Sequence, residues 1–442
     1  MNVENYVKCR RLGLTDSDGG SMNGSRRNAR GESTLRSILA ETAALVSQFG
    51  YDATTISKIS KSTGKPASSL YWFFETKDEL IAASLESTYE RTVERIQKWV
   101  KFEEGQNLQE QLERIMVDQL KGAKTERPVR LGLMVALEGS AYESVVQEPF
   151  QNRRRAVRSS LQKWWQNVAE LHELDDPNAV GIEMMQLTVA FLDGHYISDT
   201  ELTTVNLEQK SEFVAACLVG AFAEPSRGKR SVVPQQKIVD QSSNETKFGT
   251  HEFLLSATRQ LVSERGYEGA TLTRICERSG MQRSSVYWRY SDKDRLVEAA
   301  VAGPFLNIMA MPLPEDFVGG QETISHIATA LIDGVRAGMQ NRETVRAGLL
   351  MKLQHRTPPA AASISIQEAL AEQENTLAQW LTVSGGLPSA QATSAAWGLT
   401  VLTEGLILAI AFGQNYDTDV LLQRASAMLS TALHPAGMSL EQ

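Results

Sequence analysis

Apolar residues recur through most of this chain at three- and four-residue steps. Leu35, Ile38, Leu39, Val46 and Phe49 share one stripe, the spacing of an amphipathic helix. Gly50 ends that stripe, as a glycine just past the last periodic residue does. Thr54 or Thr55 then caps a short helix through Ile56 and Ile59. Thr63-Gly64 makes a tight turn, and a second short helix is predicted from Pro66 to Phe74, with proline at the tolerated first turn. Glu75-Thr76 breaks it, and Thr76 opens a long helix carrying Ile81, Leu85, Tyr89, Val93, Ile96 and Val100 on one face. No stretch alternates strictly between apolar and polar residues, so no half-buried strand is predicted. The expected class is all-α.

The same pattern returns 216 residues later, as Gly50-Tyr51 does in Gly266-Tyr267. At that offset Leu45-Val46-Ser47 matches Leu261-Val262-Ser263, and Thr55 matches Thr271. Gly64, Ser68-Ser69, Tyr71-Trp72 and Lys77-Asp78 match Gly280, Ser284-Ser285, Tyr287-Trp288 and Lys293-Asp294. Downstream, Val129-Arg130 matches Val345-Arg346, while Leu161 and Trp164 match Leu377 and Trp380. Near the ends the register slips by a few residues, pairing Asp193-Gly194 with Glu404-Gly405. A unit this long is a duplicated domain pair, not a solenoid repeat. The expected organisation is a disordered basic arm at 1–32, a first head at 33–87 and a first helical body at 88–223. A linker at 224–249 leads to a second head at 250–300 and a second body at 301–435. The second repeat's fourth helix meets Gly303-Pro304 and is expected to be short or kinked.

Composition narrows the field. The 442 residues carry 45 Lys and Arg against 53 Asp and Glu, a net charge of −8. Any nucleic-acid contact must therefore come from local patches. Cys9, Cys217 and Cys276 lie far apart and make neither a zinc spacing nor a disulfide framework, which fits a reducing cytoplasm. The longest apolar run, Leu399–Phe412, contains Glu404 and is shorter than the roughly 20 residues a membrane span needs. No membrane partner is expected.

Two short helices joined by a glycine turn, after a longer bracing helix, outline a helix-turn-helix. The residue types sharpen this. Ser68, Ser69, Tyr71, Trp72 and Lys77 offer small polar groups, aromatic donors and a cation. The second repeat offers Arg283, Ser284, Ser285, Tyr287, Trp288, Arg289 and Lys293. The run from Phe49 to Leu80, with Gly50, Thr55, Ile59, Gly64, Leu70-Tyr71-Trp72, Phe74 and Lys77, resembles the DNA-binding domain of TetR-type transcriptional regulators, and Arg265–Leu296 resembles it again. The two depart from the family pattern at Lys65 and Met281 after the turn glycine, and at Pro66 and Gln282 where a serine cap is usual. The resemblance implies two TetR-like units in one chain, paired as an intrachain pseudo-dimer with a homodimer of chains as the alternative.

Position then suggests roles. Thr55 and Thr271 place a helix N-terminus near a phosphate. Tyr71, Tyr287, Lys77 and Lys293 are expected on phosphates, contacts that set register without reading sequence. Base reading falls to Ala67, Ser68, Ser69 and Phe73 in the first head, and to Arg283, Ser284, Ser285 and Arg289 in the second. Trp72 and Trp288 either pack or touch DNA. Between Ser33 and Leu80 charges balance, whereas Thr250–Leu296 holds eight cations against six anions. Basic patches precede each head, at Arg26, Arg27 and Arg30 and at Arg227, Lys229 and Arg230.

The two bodies are rich in Trp and Met, and helical bundles host apolar pockets with a few polar anchors. Trp164, His195, Trp380 and Glu404 are the expected ligand contacts. No G-x-S-x-G, P-loop, Rossmann glycine run or H-E-x-x-H is present, so neither an enzyme nor a cofactor is expected. The reading is a DNA-binding regulator, a repressor released by a small apolar inducer. The alternative is an adaptor or architectural protein in which only one head reads DNA.

Overall fold

The computed structural model describes residues 22–89, 99, 101–121, 127–138, 144–198, 205–224, 250–314, 321–354 and 356–433. Every regular element among them is helical. The first repeat contributes α1 (Met22–Ala53), α2 (Ile56–Thr63), α3 (Ala67–Phe73), α4 (Lys77–Tyr89), α5 (Leu108–Leu120), α6 (Arg127–Leu137), α7 (Ser144–Leu171), α8 (Pro177–Ile197) and α9 (Leu207–Ala223). The second follows the same order with α10 (Thr250–Gly269), α11 (Leu272–Ser279), α12 (Arg283–Arg289), α13 (Lys293–Met309), α14 (Gln321–Gln340), α15 (Arg342–Leu353), α16 (Ala361–Val383), α17 (Ser389–Ala411) and α18 (Thr418–Leu433).

Local chemistry sets many of the ends. The Asn107, Asp176 and Asn206 side chains accept from the N–H groups of Glu110, Ala179 and Gln209, satisfying donors that a helix leaves open. Gly50 and Gly266 interrupt α1 and α10 with φ of 78° and 66°, a region that costs glycine little.

The repeats pack on each other along α8 and α9 of the first and α17 and α18 of the second. The arrangement is close to two-fold. Gly194 on α8 lies against Val401 and Gly405, and Gly405 on α17 lies against Ala190. Arg130 donates to the Lys352 carbonyl at 3.1 Å, and its counterpart Arg346 donates to the Leu137 carbonyl at 2.6 Å. One apolar core runs through both bodies and the second head and takes in Val46, Tyr51, Ile81 and Leu85 of the first. The rest of the first head's buried apolar residues form a small separate core built on Leu35, Ile38, Ile59, Leu70 and Leu80.

Three expectations change. The helix α1 begins at Met22, so the 22–32 stretch of the expected arm is helical. The helix α13 runs on through Gly303-Pro304 to Met309. Proline removes the bond to the carbonyl four residues back, here that of Ala300, and the Arg259 guanidinium donates to it at 3.0 Å. The apolar run around Glu404 belongs to α17, which starts at Ser389. That helix is long and apolar enough to cross a membrane, but it is almost wholly buried in the protein core. Residues 1–21, Val93, Ile96, Val100 and the basic patch at Arg227, Lys229 and Arg230 lie outside the described residues.

Candidate nucleic-acid interface

Both heads build the same turn. Thr55 caps α2 by accepting from the Lys58 N–H at 3.2 Å, and Thr271 caps α11 by accepting from the Arg274 N–H at 3.3 Å. Thr54, the other capping option, is buried and donates to the Gly50 carbonyl at 2.7 Å. The helices end at Gly64 and Gly280, each with φ of 66° in the left-handed region. Pro66 and Gln282 precede α3 and α12 without a side-chain cap.

The short helices α3 and α12 each bury a single apolar residue, Leu70 and Val286. The opposite face is left to solvent. Tyr71 is 51% and Trp72 61% exposed, and Tyr287 is 44% and Trp288 83% exposed. These four are the exposed aromatics at matched positions of the two repeats. Ser68, Arg283, Ser284, Ser285 and Arg289 are exposed beside them, while Ala67 and Ser69 are half-buried. Arg283 lies over the Tyr287 ring at 5.7 Å, with its Nη2 3.4 Å from the tyrosine hydroxyl. Phe73 differs from its expected role. It is half-buried and packs against the first head's core, with its ring 4.7 Å from that of Trp72.

The lysines also differ. Lys77 turns inward and donates to the Tyr51 carbonyl at 2.8 Å, its ammonium 3.7 Å from the Tyr51 ring centre. Burial lowers its pKa. Lys293 sits 4.0 Å from the Tyr267 ring centre, and burial pushes it down to about 8. Tyr51 in turn donates to Asp78. The recurring Gly-Tyr and Lys-Asp pairs thus form a clasp between the bracing helix and the fourth helix, and their joint recurrence was its signal in the sequence.

Two junction residues escaped the sequence reading. The buried Glu138 accepts from the Tyr51 N–H at 2.8 Å and lies against both kink glycines, Gly50 and Gly266. Asp52 of the first head meets Arg265 at 3.0 Å and Arg274 at 3.2 Å of the second. Arg274 also donates to the Gly269 carbonyl at 2.8 Å.

The four expected ligand contacts are not brought together. Trp164 stacks edge-on against Trp99 and Trp165. Trp380 donates to the Pro314 carbonyl at 3.3 Å. Glu404 is ion-paired with buried Lys352 and accepts from Ser198 at 2.7 Å. His195 Nε2 lies 2.9 Å from the Leu120 carbonyl, and burial lowers its pKa to about 4. A groove of about 630 Å³ runs along α16 beside Gln367, Ala371 and Gln379, and none of the four lines it. Among the described residues no group of three or more His, Cys, Asp or Glu could hold a metal ion.

Residues 38–84 and 254–300 each match the bacterial regulatory proteins of the tetR family over its DNA-binding part. The chain carries two tetR-family helix-turn-helix domains. It is also 30% identical over 106 residues to the uncharacterized HTH-type transcriptional regulator YdeS of Bacillus subtilis (strain 168). That match covers 23% of this chain and 51% of the relative, so the chain spans about half the length of the curated relative it matches. In both tetR-type heads the matched segment takes in the capped α2 or α11 and the whole of α3 or α12.

Proposed function

We propose that the chain is a sequence-specific, DNA-binding transcriptional regulator holding both reading heads in one polypeptide. The observation that carries the reading is the paired outward face of α3 and α12: Ser68, Tyr71 and Trp72 against Ser284, Tyr287 and Trp288, all exposed. Solvent-facing aromatic and hydroxyl groups on a seven-residue helix suit a DNA groove and its phosphates. In this reading the heads span 33–87 and 250–300, and α8, α9, α17 and α18 replace a dimer interface, so one chain is the working unit. The helical bodies bind a small apolar inducer that releases DNA by favouring one spacing of the heads. A second reading, an adaptor with a single DNA-reading head, draws on Phe73 turning into the core and on the balanced charge of the first head.

Binding to a labelled duplex from the chain's own upstream region, with light scattering in parallel, tests the reading. The expected result is a complex of one chain per duplex, from a protein of 48.7 kDa in solution. A mass twice that at low concentration would replace the pseudo-dimer by a dimer of chains. No preference for any duplex over bulk DNA would end the regulator reading.

A further inference from the structure

The two heads differ where they would read bases, and they are held in ways that cannot be exchanged. At the 216-residue offset Ala67 answers to Arg283 and Phe73 to Arg289. Both arginines are exposed, one at each end of α12. Ala67 is half-buried and Phe73 leans into the first head's core. Tyr71 and Tyr287, suited to the sugar–phosphate frame, agree between the heads, and so do the serine pairs Ser68-Ser69 and Ser284-Ser285; the base-reading positions that differ are Ala67 against Arg283 and Phe73 against Arg289.

The contact between the heads is one-sided. Asp52 is held by Arg265 and Arg274. The mirrored contact would need Glu268 to meet Phe49 and Lys58. Phenylalanine carries no charge, Lys58 lies over the Phe49 ring at 4.1 Å, and Glu268 pairs with Arg356 at 3.2 Å. The cores differ as well: the first head's is split between a separate cluster around Leu35, Ile59 and Leu70 and the main core, which Val46, Tyr51, Ile81 and Leu85 join, whereas the second head's belongs to the main core. A rotation that exchanged the heads would not restore the molecule.

We infer that the chain recognises a non-palindromic duplex site in one fixed orientation, with a guanine-bearing half under α12 and a half without a bidentate guanine contact under α3. The inference rests on the regulator reading above. An arginine takes guanine O6 and N7 together, whereas alanine and phenylalanine offer only apolar contact to a thymine methyl. A symmetric pair of heads maps its two-fold axis onto a palindrome; here the axis fails at two reading positions. Tyr71 and Tyr287 keep the phosphate frame common to both halves.

Selection from random duplexes with the full chain, repeated with Arg283→Ala and with Ala67→Arg, decides the matter. The wild-type consensus is expected to be asymmetric. Arg283→Ala should lose guanine from one half only, with affinity for the selected site falling on the order of tenfold or more. Ala67→Arg should add guanine preference to the opposite half and move the consensus toward a palindrome. Arg283 is exposed, so its variant should melt as the wild type does. A palindromic wild-type consensus overturns the inference and leaves the regulator reading standing. Equal weakening on all sequences by Arg283→Ala places that arginine on a phosphate and also overturns it. Enrichment of no sequence at all overturns both.

Discussion

Gly194 and Gly405, equivalent positions of the two repeats, pack on each other's helices where α8 crosses α17. A Cβ on Gly194 would overlap the carbonyl oxygen of Val401, and one on Gly405 would overlap that of Ala190. Both obstacles are backbone, so no side chain can swing aside. Gly194→Ala is therefore expected to push the helices apart at a cost of about 1–3 kcal/mol, the range for overpacking a tight core. Denaturant unfolding gives the number. An unchanged midpoint would show that the helices part freely there.

Asp52 joins the heads through ion pairs with Arg265 and Arg274 whose arginine ends are partly exposed. Exposed pairs contribute little and are screened by salt. Double-mutant cycles with Asp52→Asn and each arginine changed to glutamine should give couplings of roughly 0.2–1 kcal/mol at low salt, shrinking at high salt. A coupling that salt leaves untouched would place the pair in a drier setting than the distances describe.

His195 titrates near 4 in the folded chain against an ordinary 6.5, because burial disfavours its cation. Between those values the unfolded state binds the extra proton, so stability is full above pH 6.5 and falls as pH drops toward 4. The difference is worth on the order of 3 kcal/mol. His195→Gln should flatten that part of the stability–pH profile relative to wild type. Parallel profiles would mean that histidine is free to charge in place.

Trp72 and Trp288 are the most exposed tryptophans among the described residues. Replacing either with alanine should change stability by no more than about 0.5 kcal/mol, as at other surface sites. Both replacements should weaken duplex binding, and the fluorescence change on adding DNA should shrink. Unaltered binding by both variants would remove the aromatics from the interface.

Much of each head was legible in order of chain because its determinants are local. Thr55 and Thr271 cap, Gly64 and Gly280 turn left-handed, and Leu70 and Val286 point inward, each a matter of a few neighbouring residues. The reach of long side chains was not legible. Lys77 and Lys293 look like phosphate ligands from their place at a helix start, yet a tyrosine ring 26 residues earlier in the chain takes the ammonium in each case. Pro304 reads as a break until Arg259, on another helix, supplies the missing partner for Ala300. His195, Trp380 and Glu404 look like pocket anchors by residue type, but their partners, Leu120, Pro314 and Lys352, come from segments far away in sequence.

By itself the sequence determined that the chain is all-helical, that it is one unit repeated at an offset of 216 residues, and that each unit opens with a helix-turn-helix. Periodicity, caps and glycines act over a turn or two of chain, and a repeat is visible without any fold. Only the tertiary structure decided how the units face each other. The Gly194–Gly405 crossing, the Asp52 bridge to Arg265 and Arg274, and the seat of Glu138 beneath both kinks join residues up to hundreds of positions apart. Such contacts depend on which surfaces close packing brings together. No local preference encodes that choice, because a glycine or an aspartate reads the same in sequence whether its neighbour is solvent or another repeat.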